Sequence, residues 1–465
     1  MHAPARPRWL RTPDARWLLA IFVLALGVRL LTVAVIHPDP RDGRFDDSVW
    51  YDTSARHLAD GDGYVFDPTV WFASDNTRIY PDEEALTPTA LWPPGYPVTL
   101  AAIYFVTDDS LWAGRMFNVL CGALTAVLVY AIARKLFGRT EAVIAGLLIA
   151  LLPGHVYFTP LLMSETYFLF LMSATIAVFL YYVLDHERPP LVAVAGAGLL
   201  ASMTGMSRGE FAPFAGIMLL LLVFHLGLRR SLLPAAVFTI AVASLFVPWT
   251  IRNQIQMGEA IPGTTGAGRV ALQGHHPLSE GIPSLEIFGR IDHEYASLPR
   301  KERELKVNTE GLYRARTYAW DNKLEELRLL PRRMYGLFRS DESAITWGQS
   351  NKPVYNEETA KRLINLNTWI FYGVVAFALL SWPLWWRTRD TKRLLVFAPV
   401  PFYMLMFGVI FIGDPRYHFG MYLPIVVFAS TGLAALWRMS QEAWHDASGG
   451  RSLGEILRTY GTPAP

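Results

Sequence analysis

Ten apolar runs, each near the length needed to cross a bilayer, constrain this chain more than any other feature. They fall at 17–36, 111–136, 140–159, 166–184, 191–207, 211–228, 232–250, 365–386, 393–412 and 419–437. A spanning helix needs about 20 predominantly apolar residues. Inside a bilayer every backbone N–H and C=O must be paired within the protein, so such runs are expected as helices. Hydrophobic content of 52% against 18% charged residues favours a polytopic membrane protein over a soluble domain. Trp17, Trp50, Trp92, Trp112, Trp249, Trp369, Trp382 and Trp437 stand where apolar runs end, as in interfacial belts. The fold class expected is an all-α polytopic membrane protein of about ten transmembrane helices.

Lys and Arg in short connections set direction. Arg134, Lys135 and Arg139, then Arg188, then Arg229 and Arg230, then Arg387, Arg389, Lys392 and Arg393, and finally Arg438 all fall on one side if the N-terminus is inside. Residues 1–16 and 438–465 are then cytoplasmic tails. Residues 17–250 form a transmembrane module with an acidic first outer loop at 37–110, residues 251–364 a second extracytoplasmic segment, and residues 365–437 a C-terminal transmembrane module. Segment 251–364 is itself basic, but long loops are largely exempt from the charge rule. Arg6, Arg8, Arg11 and Arg16 resemble the start of a signal peptide. The apolar part that follows is long for one, and no small-x-small cleavage site comes after it, so a retained anchor in the plasma (inner) membrane is expected.

Within the outer segments, a short helix is expected at 48–59 and a polar helix at 300–322. After that, Leu324, Leu327, Leu330, Met334 and Leu337 recur at helical spacing beside Arg328, Arg332 and Arg333, which reads as a helix lying on the membrane surface and broken by Pro331. Net charge is +2 and no basic tract is interleaved with aromatics, so nucleic acid is set aside as a partner. The single cysteine, Cys121, excludes an intramolecular disulfide.

The chemistry-bearing residues gather on the outer side. Asp46 and Asp47 open the helix expected at 48–59, with Tyr51 one turn on. A carboxylate at a helix N-terminus is held by backbone N–H groups and stays ionised, able to take a proton from a hydroxyl. A solvated acidic loop is the bland alternative. Trp92-Pro93-Pro94-Gly95-Tyr96-Pro97 makes a stiff turn back toward the membrane. Arg115 and Asn118 lie near the outer end of the second run, and Ser164-Glu165-Thr166 opens the fourth, with Ser164 a candidate N-cap. An ionisable group at the membrane boundary marks a polar cavity when it does not simply complement the helix dipole. Arg208 and Glu210 can pair. Arg208, Arg252 and Arg416 end or begin three outer helix termini, and guanidinium matches phosphate oxygens with two parallel hydrogen bonds, whether in a substrate headgroup or in ordinary membrane lipid. Tyr417 and His418 follow Arg416. No cofactor is indicated with certainty. Asp46, Asp47 and Glu165 are hard oxygen donors that leave room for a divalent metal, without a fixed ligand spacing.

In this order (Asp47 with Tyr51, PPGYP, Arg115 with Asn118, SET, SRGE, PWTIRN, DPRYHF) the motifs resemble the dolichyl-phosphate-mannose protein mannosyltransferase and aminoarabinose transferase group of GT-C membrane glycosyltransferases. The resemblance runs from about residue 17 to 437. It implies a GT-C-like fold and transfer of a sugar, with inversion, from a polyprenyl-phosphate carrier to a lipid, protein or glycan acceptor on the extracytoplasmic face. It further implies Asp47 as catalytic base, Glu165 as its helper, Arg416, Arg252 and Arg208 toward the donor phosphate, and Tyr51, Tyr96, Arg115, Asn118, Tyr417 and His418 toward substrate. The acidic pair departs from the family's order, because Asp46 precedes Asp47 and Ser48 follows it. The choice between the two stays open, with the Tyr51 spacing favouring Asp47. The competing reading is a membrane transporter or lipid flippase, which is expected to show internal repeats and mid-membrane charges. A non-catalytic scaffold leaves the ordered motifs unexplained.

Overall fold

The computed structural model describes residues 12–41, 47–68, 86–350, 354–382 and 390–448. The first apolar run is helix α1 (Thr12–Val35), followed by α2 (Asp47–Asp60), the two-residue strands β1 (Val65–Phe66) and β2 (Thr87–Pro88), and α3 (Gly95–Thr107). The strands are antiparallel, with Val65 opposite Pro88 and Phe66 opposite Thr87. Next come α4 (Leu111–Leu136), α5 (Arg139–Leu151), α6 (Pro153–Phe158), α7 (Ser164–Val178), α8 (Leu191–Ser207), α9 (Phe214–Leu226) and α10 (Leu228–Met257). The second outer segment folds as α11 (Ala267–Gly274), α12 (Leu285–Glu294), α13 (Arg300–Asp321), α14 (Lys323–Phe338) and α15 (Ser343–Ser350). The chain returns through α16 (Glu357–Leu380), α17 (Thr391–Phe397), α18 (Pro399–Leu405) and α19 (Tyr422–Ser448).

Among the described residues seven helices are long and apolar enough to span, and the bent pair Thr391–Phe397 and Pro399–Ile410 makes an eighth. The count of about ten is therefore not reached, for reasons visible in the chain. The run at 140–159 is cut after Leu151, because Pro153 holds Leu152 extended at φ −61°, ψ 114°. The run at 191–207 gives a helix of only 17 residues. The helix α4 is central, packed against α1, α5 and α7, while α19 lies along α5 and α16. Its apolar face, including Leu423, Val426 and Val427, is sealed from the surroundings, so α19 serves as a core helix more than a lipid-facing one.

Polar locks fix the two ends of the bundle. At the end carrying the basic connections, buried Asp14 of α1 accepts hydrogen bonds from Tyr130, Arg134 and Arg139. At the other end Glu304 of α13, fully buried, accepts from Thr89 Oγ1 (2.7 Å), the Ala90 N–H (2.9 Å) and Thr265 Oγ1 (2.6 Å), and pairs with Arg300. One carboxylate thus ties the first outer segment to the second. Nothing in the polar stretch RKERELK announces this role. The segment GTTGAGRVALQG, which reads as a Gly-rich loop, contains α11.

The helix at 48–59 is present as Asp47–Asp60, with its first nine residues buried. The α14 helix runs through Pro331 instead of breaking there. Pro331 is exposed, so the carbonyl left without its N–H partner need not be sealed in apolar surroundings. The exposed side of α14 carries Leu324, Leu327, Arg328, Arg332 and Tyr335, and its inner side packs on the outer end of the bent span, Met406–Ile410.

Candidate active site

Three chain segments far apart in sequence meet at the end of the bundle opposite the basic connections. The first is the start of α2, which brings Asp47 and, one turn on, Tyr51. The second is the start of α7, which brings Glu165. Ser164 does not cap that helix; Met163 occupies the N-cap position. The Ser164 hydroxyl instead lies 3.2 Å from the Tyr51 hydroxyl, joining α2 to α7. The third is the tight 3-10 turn Pro415–Met421, capped by Asp414, whose Oδ1 accepts the Arg416 N–H at 2.8 Å. The cap fixes Arg416 at the turn's start.

Arg416 bridges the two carboxylates: Nε donates to Glu165 Oε1 and Nη1 to Asp47 Oδ2. Glu165, fully buried, accepts a second guanidinium on the same oxygen, from Arg208 Nη1 at 2.7 Å. Arg208 Nε donates in turn to Glu210 at 2.5 Å. Glu165 Oε2 is buried with no hydrogen-bond partner among the described residues. The cluster holds three carboxylates and two guanidiniums, and removing charges from water is costly unless they are paired in this way. Burial works against the Arg208 charge, yet Glu210 and Glu165 hold the guanidinium more firmly protonated than usual. Burial, reinforced by Asp47, pushes the Tyr51 phenol up, so it stays a neutral hydroxyl. Among the described residues neither Arg208 Nη2 nor Arg416 Nη2 has a protein acceptor.

Beside the cluster opens a cavity of about 590 Å³, lined by Tyr51, Trp92, Arg208, Glu210, Arg416 and Tyr417 and walled by the loop Glu259–Thr264. Pro213, Met406, Phe407 and Phe411 give it an apolar flank at the ends of two spans. Asp47 and Glu165 stand one layer behind this wall, in contact with the arginines that form it. The PPGYP turn reaches the cavity through Trp92 and Pro93. Its glycine is required by close approach, because a Cβ on Gly95 would sit 2.6 Å from the carbonyl carbon of Met206.

Several candidates lie elsewhere. Arg252 does not join Arg416: it donates to the carbonyls of Thr89 (2.7 Å) and Tyr64 (2.5 Å) and packs over the Tyr64 and Trp249 rings, bracing the β1–β2 hairpin. Arg115 is buried, donating to the carbonyls of Pro38 and Pro160. Asn118 and Tyr96 bond each other, and Asn118 also holds the Leu161 carbonyl. His418 is buried between the Leu337 carbonyl and Asp341 and stacks on Phe371. These four support the walls without lining the cavity. Asp46 lies outside the described residues. No set of three His, Cys, Asp or Glu among the described residues is arranged to hold a metal ion.

Asp341 was not visible as a candidate. It accepts from His418 and from Tyr422 at 2.5 Å, and so holds the far end of the turn that carries Arg416. Trp347, over which the Arg416 guanidinium lies at 5.4 Å, was equally silent in sequence.

The helical bundle, with its charged cluster at one end, has a GT-C-like fold. Residues 92–251 match the family described as dolichyl-phosphate-mannose-protein mannosyltransferase. The oligosaccharyltransferase of Archaeoglobus fulgidus in its apo form shares 14% identity at a TM-score of 0.55, over 98% of this chain and 55% of that one. The same enzyme, AglB, in complex with an inhibitory peptide and a dolichol-phosphate gives 14% and 0.54, with coverage of 98% and 55%. This chain thus spans about half the length of those solved chains, and at such identity what is shared is the fold. ArnT from Cupriavidus metallidurans bound to undecaprenyl phosphate gives 15% identity and a TM-score of 0.38, over 92% of this chain and 79% of that one, too low to add to the assignment. No curated protein matches by sequence.

Proposed function

We propose that the protein is an inverting glycosyltransferase that moves a sugar from a polyprenyl-phosphate carrier to an acceptor at the extracytoplasmic face of the plasma membrane, with both termini cytoplasmic. The observation that carries this reading is Arg416, bonded to Asp47 and Glu165 while its remaining nitrogen and that of Arg208 are uncommitted beside a cavity. Two such donors suit a phosphate leaving group. The apolar flank at Met406, Phe407 and Phe411 lets an isoprenoid tail approach from lipid. The neighbour that was solved with a dolichol-phosphate lends support at the level of fold.

In this mechanism the donor phosphate takes Arg416 in exchange for Asp47, which frees the carboxylate. Asp47 then accepts the proton of the acceptor hydroxyl as its oxygen attacks the anomeric carbon. The bond from that carbon to the phosphate oxygen breaks, and the lipid phosphate leaves with the electron pair, neutralised by Arg416 and Arg208. Glu165 keeps both guanidiniums in place. The test is incubation of purified protein with a panel of labelled polyprenyl-phosphate sugars and membrane extract. Transfer with inverted anomeric configuration is expected. Retention, or transfer from a water-soluble nucleotide sugar alone, overturns the proposal.

A further inference from the structure

A second cavity, of about 620 Å³, lies outside the cluster just described, between α11, α12 and α13. Its floor is apolar, from Leu272, Ile287 and Ile291. Tyr313, Tyr318 and Asp321 stand around it, and their hydroxyl and carboxylate groups make no hydrogen bond to a described residue. Tyr313 is 56% exposed, so the mouth is open. Its lining arginines each have a carboxylate partner: Arg314 grips Glu294 through two hydrogen bonds of 2.7 and 2.6 Å, and the exposed Arg290 pairs with Glu286 one turn away. His276 is neutral at physiological pH, because burial and the charges of Arg290 and Arg314 hold its pKa below the usual imidazole value. Its Nδ1 accepts the Leu278 N–H at 3.0 Å, which places its proton on Nε2 as a donor.

We propose that this cavity binds a neutral glycan, as an extension of the acceptor. The inference rests on the glycosyltransferase reading for the word acceptor, but the binding chemistry stands on the cavity alone. A sugar ring presents an apolar C–H face and a rim of hydroxyls. Two phenol rings, an uncharged imidazole and a free carboxylate over an aliphatic floor answer both. A phosphorylated ligand would have to compete with Glu294 and Glu286 for the two lining arginines and would meet the Asp321 carboxylate, whereas a neutral one need do neither. A purely apolar ligand leaves the buried-edge polar groups unanswered.

Position supports the link to the first cavity. Val270 of α11 and Asn308 of α13 line the cavity at Arg416, whereas Leu272 and Tyr318 of the same two helices line this one. From Asn308 to Tyr318 the helix rises roughly 15 Å, at about 1.5 Å per residue. An acceptor with its reacting hydroxyl beside Arg416 reaches the second cavity only if it extends over that distance, as an oligosaccharide of several sugar units does.

The test uses the full-length protein in detergent on a printed array of neutral linear oligosaccharides, with inorganic phosphate as soluble competitor. Binding by the wild type and by Asp47→Asn alike is expected, weakened about tenfold or more by Tyr313→Ala and by Asp321→Asn. Both substitutions fall at exposed positions, and unchanged melting temperatures will show that the fold is kept. A silent array, binding indifferent to Tyr313 and Asp321, or binding displaced by phosphate overturns the inference. Normal turnover by Asp47→Asn overturns the glycosyltransferase mechanism while leaving the array result standing, so the two failures are distinguishable.

Discussion

Arg416 and Arg252 look interchangeable in sequence: each stands at the end of an apolar run expected to face the same side, with an aromatic residue within three positions. The structure separates them by what they touch. Arg416 is held by carboxylates and keeps a nitrogen unspent beside a cavity. Arg252 is held by two loop carbonyls and sandwiched with Tyr64 and Trp249. A guanidinium satisfied by carbonyls is a brace that no anion can draw away without unfastening a hairpin. One satisfied by carboxylates sits in an exchangeable pair, poised to trade one anion for another. Charge type and membrane depth therefore say little about role; the partner's chemistry decides it.

The comparison can be broken most forcefully at the residue that serves only one side of it. Glu165→Gln leaves Arg208 and Arg416 facing each other with one acceptor fewer, and breaking a buried pair in this way costs about 3–5 kcal/mol. The variant is expected to lose transfer activity and to show a clearly lower melting temperature in detergent. Next in size, Arg416→Ala should lower kcat/KM for the lipid-phosphate donor by about 10²–10³, with a smaller change in acceptor binding. A defect confined to the acceptor would reassign Arg416. Arg252→Ala sharpens the contrast from the other side: two buried-edge carbonyls lose their donor at about 1–3 kcal/mol, seen as reduced thermal stability, with turnover of the surviving folded protein near normal.

The smallest effect concerns pH. Glu326 accepts from His275 and Arg333, and through Arg333 it braces α14 against the span end beside the Arg416 turn. Burial opposes its charge, but those two partners win and hold its carboxyl below the ordinary value of 4.5. A depressed carboxyl contributes stability that is fully present above the unfolded value and lost as pH falls through the folded one. Melting temperature should therefore fall on acidification below about pH 4.5, and Glu326→Gln should flatten that slope while lowering stability at neutral pH. Among the described residues Arg252 hydrogen-bonds no carboxylate, so Arg252→Ala should leave the slope unchanged.

Much of the site was legible because Asp47, Glu165, Arg208 and Arg416 are ionisable groups at the ends of apolar runs, where a charge has to be explained. The helix from Asp47 and the Arg208–Glu210 pair were readable for the same local reason. What escaped depends on distant partners. Apart from the neighbouring Asn253 side chain, the acceptors of Arg252 are the backbone carbonyls of Thr89 and Tyr64, which carry no residue signature. Glu304 and Asp341 become important only because loops from remote segments end against them. Arg115, Asn118, Tyr96 and His418 lie in motifs near the site, and motif order alone does not distinguish a wall from the beam behind it. Ten spans are not all found among the described residues because Pro153 interrupts one apolar run and the run at 191–207 gives only a 17-residue helix.

The account stands or falls on whether Asp47 accepts the proton during sugar transfer. The most direct measurement is a single-turnover assay with labelled polyprenyl-phosphate sugar and excess protein, comparing the wild type with Asp47→Asn, each checked for fold by its melting temperature. The account predicts that the label stays on the lipid in the variant, with a rate at least about 10² below the wild type. Equal rates, with the variant folded, would contradict it.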